Sequence, residues 1–224
     1  MAKKPNKKPS RKIVRVLLFI LLVATMAVGS FFVLKFIIPP LVAPVETVQT
    51  AENSENIKDE SEPDGDWTVA PEKPRFMTIK ALGIDKARVV ELGVKGENNQ
   101  LEDPKNIHDA GWYRDSALPG APVDTEYAGL YDGHNTGVSQ KGIFFYLDRL
   151  TIGDEIVIER GDAAELRYAV REVETVLLEE IDMSKMQKSF NPQIEGLNII
   201  SCGGDWDKER QTYTHRVTVR ATIK

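Results

Sequence analysis

The 224-residue sequence contains a single cysteine and only three histidines, and its first 35 residues contain no Asp or Glu. One cysteine excludes a disulfide within the chain, and no segment of the sequence repeats elsewhere. Eight of the 29 Lys and Arg residues lie within those first 35 residues. The rest of the chain therefore contains 21 basic residues and all 34 acidic residues, so its net charge is negative. Nucleic-acid binding draws on clustered cations, and this acidic balance therefore argues against nucleic acid as a partner of the rest of the chain.

The N-terminal residues have the pattern of a membrane anchor. Residues 16–34 are uncharged, and 19 residues at about 1.5 Å each span the hydrocarbon core of a bilayer. We predict a basic cytoplasmic head at residues 1–12 and a single transmembrane helix within residues 13–38, because basic residues remain inside. A cleaved secretory signal is the alternative, although the apolar run continues past the small residues Ala27 and Gly29.

Residues 39–73 have the composition of a spacer. The segment begins with two prolines, is acidic and has few large apolar residues. Such a composition buries too little apolar area to offset chain entropy, so we expect a flexible stalk that holds an extracellular domain off the membrane.

Residues 74–224 have the pattern of an all-β domain. Short apolar stretches with period two alternate with Gly, Pro, Asn and Asp, which favours seven or eight strands in a small closed barrel. Helices are predicted only near residues 144–150 and 183–188. The predicted strands lie near residues 76–84, 87–94, 127–131, 155–159, 166–176, 197–201 and 215–224.

The lone cysteine follows an apolar strand. Residues 197–201 predict a buried strand that ends at Cys202, and Gly203 begins a loop up to residue 215. A single cysteine is most often a buried apolar residue. In an oxidising space, however, one thiol is open to oxidation or to pairing with another chain, and the end of a strand is where reactive groups are displayed.

A nucleophilic thiol needs a histidine and a cation nearby. His134 follows an apolar strand and lies between two glycines, which favours it over His108 and His215. Arg216 begins the last predicted strand, which can neighbour the strand of Cys202. Its planar guanidinium can stabilise an oxyanion.

Three stretches together resemble the sortase family: YDGHNTGVSQKGIFFYLDRLTIGDEIVI at residues 131–158, NIISC at 198–202 and HRVTVRA at 215–221. The stretch GWYRDSALPG at 111–120 further resembles the class E and F branches. Ser201 stands where most sortases have Thr, and Asn198 is a second departure. Arg210 and Arg220 remain alternatives to Arg216, whose spacing fits the family best.

The resemblance implies a closed eight-stranded barrel and a membrane-anchored cysteine transpeptidase that cleaves a Leu-Pro-x-Thr-Gly-like sorting signal. It implies that Cys202 is the nucleophile, His134 its imidazole partner and Arg216 the oxyanion ligand. The neighbouring residues would contact the substrate: Gly133, Asn135, Ser201 and Gly203. The implied partners are secreted proteins with a C-terminal sorting signal and an amine acceptor, such as a peptidoglycan precursor or a pilin-like subunit.

The resemblance implies no cofactor and no metal. The acidic residues near the predicted groove could bind Ca²⁺, but a solvated charge cluster is the simpler interpretation: Glu179, Glu180 and Asp182. The loops 178–196 and 203–215 are candidates for the groove walls. Two alternatives stay open, a non-catalytic anchored binding module whose cysteine is structural or links two copies, and a thiol peptidase without acyl transfer.

Overall fold

A closed barrel of eight β-strands is the centre of the protein in the computed structural model, which describes residues 67–95, 100–122 and 126–224. The strands in chain order are β1 (Pro74–Ile79), β2 (Ile84–Leu92), β3 (Val94–Lys95), β4 (Gln100–Leu101), β5 (Ala110–Tyr113), β6 (Gly129–Asp132), β7 (Glu155–Arg160), β8 (Glu165–Leu177), β9 (Gly196–Asp207) and β10 (Thr212–Ile223). Around the barrel the order is β1-β2-β5-β6-β9-β10-β8-β7, and β3 pairs with β4 in a separate sheet. The predicted closed eight-stranded all-β barrel is confirmed.

The barrel is filled by apolar side chains that alternate along its strands. On β9, Leu197 and Ile199 point inward, and on β10, Val217 and Val219 do the same. Period-two alternation leaves the intervening residues of both strands on the outer face of the barrel wall. The inward side of the barrel is therefore a packed core, and any functional group must lie on the outer face or at an end.

A smaller apolar cluster covers part of the outer face. It is formed by Leu92, Tyr113, Leu130, Met186 and Ile200. Met186 belongs to α1 (Met183–Gln187), which begins at Asp182, whose side chain accepts hydrogen bonds from the amides of residues 184 and 185. The helix and its apolar contacts cover the outer face of β6 and β9.

Most barrel strands pair antiparallel, but two pairs are parallel. β2 runs parallel to β5, and β6 runs parallel to β9. The four residues of β5 are all buried, so this strand has no alternation to signal it, and the sequence did not predict it. Of the two predicted helices, the second is α1, whereas residues 144–150 contain only a 3₁₀ turn at Leu147–Arg149.

The strand that carries the cysteine is longer than predicted. β9 does not end at Cys202 but continues to Asp207, and β10 begins at Thr212 rather than at residue 215. The predicted loop 203–215 is therefore a β-hairpin extension. Its two glycines do not break the strand: a Cβ on Gly203 would lie 2.8 Å from Cγ2 of Val217, so glycine permits close pairing there.

Residues just before the predicted domain boundary contact the barrel domain. The amides of Gly161 and Asp162 donate hydrogen bonds to the carbonyl oxygens of Lys73 and Pro71, inside the predicted stalk 39–73. Residues 67–73 thus pack on the barrel. The predicted head, the predicted anchor and residues 39–66 of the stalk lie outside the described residues. Among residues 67–95, 100–122 and 126–224, no helix has the length and apolar character needed to cross a membrane.

Candidate functional site

Cys202 and Arg216 face each other across two neighbouring strands. They are paired residues in the antiparallel ladder of β9 and β10. Because Ile199 and Val217 point into the core, alternation directs both Cys202 and Arg216 to the outer face. Neighbouring strands lie about 4.8 Å apart, so the thiol and the guanidinium stem start from adjacent backbone positions.

His134 joins this row from the other side of β9. In the parallel ladder of β6 and β9, Asp132 lies opposite Ile200. One residue further along, the Ser201 hydroxyl donates a 2.7 Å hydrogen bond to the Gly133 carbonyl oxygen. The next residues are His134 and Cys202. Extended by these two residues, the register places His134, Cys202 and Arg216 in one row across three neighbouring segments. Their catalytic roles stay a prediction.

The imidazole of His134 is held by a backbone carbonyl. Nε2 lies 2.7 Å from the carbonyl oxygen of Pro104, and the ring is buried. A carbonyl oxygen can only accept, so Nε2 carries a hydrogen and Nδ1 is the nitrogen that gains or loses a proton. Pro104 thus fixes both the orientation of the ring and the atom that exchanges the proton.

The Arg216 guanidinium is buried and anchored along the hairpin. It donates to the carbonyl oxygens of Tyr213 and His215 at 3.1 and 2.9 Å and to Oγ1 of Thr212 at 3.2 Å. Its planar fork is therefore held in one orientation beside the β9–β10 ladder. Such a fixed guanidinium is suited to stabilising an oxyanion.

The alternative arginines lie elsewhere. Arg210 belongs to the hairpin turn and forms exposed ion pairs with Asp207 and Glu179. Arg220 lies opposite Asn198 and donates to the carbonyl oxygens of residues 188 and 189. Both side chains therefore have structural partners in other parts of the outer face, and Arg216 is the arginine that the ladder pairs with Cys202.

The alternative histidines do not share the row. His108 lies in the segment between β4 and β5, where its amide donates to Oδ1 of Asn106. His215 is opposite Gly203, and its Nδ1 is 2.8 Å from Oγ1 of Thr214. Of the three histidines, His134 is the one whose position continues the β6–β9 register to Cys202.

The predicted substrate-binding residues have identifiable positions. Ser201 is buried, and its hydroxyl joins β9 to the residue before His134. A Cβ on Gly133 would lie 2.6 Å from the Phe144 ring, so glycine lets this ring pack behind the histidine. Oδ1 of Asn135 is buried without a hydrogen-bond partner among the described residues and is able to accept one. Substrate contact by Gly133, Asn135, Ser201 and Gly203 stays a prediction.

A cavity of about 350 Å³ lies on the outer face beside β5 and β6. Its walls include Tyr113 and Leu130 from the barrel and Met183 from α1. α1 belongs to the 178–196 segment that was predicted to wall the groove. The cavity adjoins the outer-face apolar cluster, which includes Ile200, two residues before the cysteine.

The β9–β10 hairpin extension lies next to the loop after His134. The hydroxyls of Thr136 and Tyr213 are hydrogen-bonded to each other, and Trp206 packs edge-on against Tyr213 with ring centroids 5.2 Å apart. The hairpin therefore places two aromatic side chains beside the loop after His134.

Two carboxyl groups near the row were missed by the sequence analysis. Asp132 ends β6 two residues before His134, and burial raises its pKa well above the ordinary range, with the charge of Asp103 adding to the effect. Burial likewise raises the pKa of Asp103, while the charges of His134, Lys95 and Arg216 oppose the shift. An acid at the end of an apolar strand directly before Gly-His was the available sequence signal for Asp132. Asp103 lies in a polar loop and gave none.

No metal site is formed by the described part of the chain, in which no three His, Cys, Asp or Glu side chains converge as ligands. Of the acids considered for Ca²⁺, Asp182 caps α1 and Glu179 pairs with Arg210. These contacts give both acids structural roles.

The sortase-domain family description matches residues 77–224 of this chain. The chain belongs to the sortase family. No curated protein sequence matches it.

Among solved structures, sortase A from Corynebacterium diphtheriae is 21% identical with a TM-score of 0.50, and the match covers 68% of this chain and 62% of that one. This chain therefore spans less than two thirds of that relative. A sortase D5 transpeptidase from Clostridium perfringens is 19% identical over 68% and 79% of the two chains, with a TM-score of 0.47. Sortase C from Streptococcus pneumoniae is 16% identical over 82% and 81%, with a TM-score of 0.48. The likeness to class E and F sortases stays a prediction.

Proposed function

We propose that this protein is a membrane-anchored cysteine transpeptidase that cleaves a Leu-Pro-x-Thr-Gly-like sorting signal and transfers the product to an amine. The observation that carries the proposal is the placement of Cys202 opposite Arg216 in the β9–β10 ladder, with His134 two residues beyond the end of β6, the strand that pairs with β9. Family membership supports the same chemistry. The anchor and the extracellular placement of the domain rest on the sequence pattern of residues 1–38.

In the first half-reaction, the Cys202 thiolate attacks the carbonyl carbon of the Thr-Gly peptide bond. The carbonyl oxygen becomes an oxyanion, which the Arg216 guanidinium stabilises by charge and hydrogen bonding. As the carbon–nitrogen bond breaks, the His134 imidazolium donates its Nδ1 proton to the leaving glycine amine. A thioester between Cys202 and the threonine remains.

In the second half-reaction, the acceptor amine attacks the thioester carbon. Nδ1 of His134 removes a proton from the attacking nitrogen, and the Cys202 thiolate leaves. The new amide joins the threonine to the acceptor, and the site returns to its imidazolium–thiolate state. If water attacks the thioester carbon instead of the amine, the product is a free acid. A thiol peptidase would complete its reaction in this way.

The cavity beside β6 is the candidate site for the apolar part of the sorting signal. Leu130, Tyr113 and Met183 provide an apolar lining of a size suited to a leucine and a proline. An extended peptide that continues along β6 from this cavity reaches Cys202 after a few residues, since each residue spans about 3.3 Å.

Mass spectrometry of the full-length protein tests the proposal. The protein is incubated with a Leu-Pro-x-Thr-Gly peptide, with and without a glycine-based amine, and Cys202→Ala is the control. We expect an acyl adduct on Cys202 and, with the amine, a ligated product. An adduct that yields only the free acid in the presence of amine supports a peptidase, whereas no adduct and no cleavage support a non-catalytic binding module.

A further inference from the structure

Asp103 is fixed in place by its two neighbours in the chain. The carbonyl oxygen of Glu102 accepts a 3.0 Å hydrogen bond from the Tyr113 hydroxyl, and the Glu102 side chain accepts one from the Gly93 amide at 2.8 Å. On the other side, the Pro104 carbonyl oxygen contacts His134. The backbone of Asp103 is therefore held between Tyr113 and His134.

Asp132, the last residue of β6, contacts the same tyrosine from the barrel wall. The Tyr113 hydroxyl lies 3.0 Å from the Glu102 carbonyl oxygen and 3.4 Å from Oδ2 of Asp132. This one hydroxyl therefore contacts both the segment that contains Asp103 and the side chain of Asp132. Asp132 shares the outer face with Leu130, and it precedes His134 by two residues. Asp132 therefore lies near the segment of residues 102–104 that also contacts His134.

The surroundings of the two acids oppose their joint ionisation. Burial raises both pKa values, and each acid also feels a like charge, Asp132 from Asp103 and Asp103 from Glu102. The cations that face them are His134, Lys95 and Arg216. Two carboxyl groups at such a site ionise in two coupled steps, as is usual when like charges share one environment.

We propose that Asp103 and Asp132 form a carboxyl pair beside His134 and Arg216 and that the charge of this pair controls the reactivity of Cys202. The pair is a positioning element that acts through the charges it presents to His134 and Arg216. Because burial and mutual repulsion raise their pKa values, the two groups ionise one after the other, and the second ionisation adds a second negative charge next to the row. That charge disfavours the Cys202 thiolate and favours the His134 imidazolium.

The proposal rests on the proposed function in that Cys202 is taken as the nucleophile, but its test needs no peptide substrate. Cys202 is the only cysteine in the sequence, so alkylation by iodoacetamide reports on this thiol alone. The alkylation rate is measured against pH by mass spectrometry. Asp132→Asn and Asp103→Asn keep the side-chain shape and remove one charge each. Asp148→Asn is the control variant, because it removes one negative charge at an exposed position outside the row.

We expect each single variant to lower the pH midpoint of alkylation by about one unit, the size expected for one charge at the edge of a partly buried site. The double variant should lower it by about two units. Asp148→Asn should not change it. Unchanged midpoints in both single variants overturn the proposal, even if the peptide is cleaved. Shifted midpoints support it, even if no peptide is cleaved.

Thermal unfolding against pH provides a second measurement. Because the folded-state pKa of Asp132 is raised, ionisation of this group destabilises the fold as pH rises from about 4, its ordinary value, through the raised value. The unfolding temperature of Asp132→Asn should therefore exceed that of the wild type increasingly across this window. A constant difference at every pH indicates only a packing effect and contradicts the proposal.

Discussion

The carbonyl oxygen of Pro104 accepts a hydrogen bond from Nε2 of His134 at 2.7 Å. The segment between β4 and β5 thereby determines the tautomer of a histidine that lies 30 residues further along the chain. Because Nε2 carries the hydrogen, Nδ1 is the nitrogen that remains available to exchange a proton in the proposed reaction.

Replacing His134 by Ala should reduce kcat/KM for the peptide by about 10² to 10⁴-fold, the range for loss of a general acid–base. His108→Ala and His215→Ala should retain most of the activity, since neither residue shares the row. Initial rates of peptide cleavage by the three variants decide this. A comparable loss in either control would mean that the wrong imidazole has been assigned.

Replacing Arg216 by Ala should lower kcat by about 10² to 10³-fold, as expected for removal of one oxyanion donor. Arg216→Lys should not restore the rate, because an ammonium group lacks the planar fork that contacts Tyr213, His215 and Thr212. Arg210→Ala, in the exposed hairpin turn, is the matched control. Wild-type kcat in Arg216→Lys would contradict the assigned role.

Replacing Ser201 by Ala should lower the free energy of unfolding by about 1 to 3 kcal/mol, because the Gly133 carbonyl oxygen is left without its buried donor. It should also lower kcat, since this hydrogen bond fixes the register between His134 and Cys202. Ser201→Thr keeps the hydroxyl and should keep the rate. Urea unfolding and peptide kinetics measure the two effects, and an unaffected kcat in Ser201→Ala would exclude the second.

The buried ion pair between Arg88 and Asp109 should be important for stability. Two hydrogen bonds of 3.0 Å join the guanidinium to both carboxylate oxygens. Asp109→Ala should cost about 3 to 5 kcal/mol, because it leaves a charge buried. The double variant Arg88→Met with Asp109→Ala should cost less than the single one. Denaturant unfolding of the three proteins tests this, and a larger cost in the double variant would contradict it.

The regular parts of the fold could be predicted from the sequence, and the irregular parts could not. The strand at residues 197–201 and the last strand have clear alternation, and their pairing brings Cys202 beside Arg216. Gly203 and Gly204 predicted the start of a loop, but in the fold they allow β9 to pair closely with Val217 and His215 of β10. β5 was missed because four buried residues contain no alternation.

The chemistry of the site was visible only in part. Cys202, His134 and Arg216 belong to residue types that carry catalysis, and their sequence contexts made them the predicted catalytic residues. The roles of Pro104 and Asp103 depend on the path of the segment between β4 and β5, which no local pattern determines. An acid in a polar loop is indistinguishable by sequence from a solvated one, so the carboxyl pair required the fold.

The parallel pairing of β6 with β9 has a consequence for the order of folding. Gly133 and Ser201 are 68 residues apart in the chain, so the contact between them closes a long loop and comes with a large entropy cost. The β9–β10 hairpin, by contrast, is local and can form early. We expect the thiol and guanidinium to meet first and the imidazole to join them last, so that a partly folded chain exposes a cysteine without its histidine.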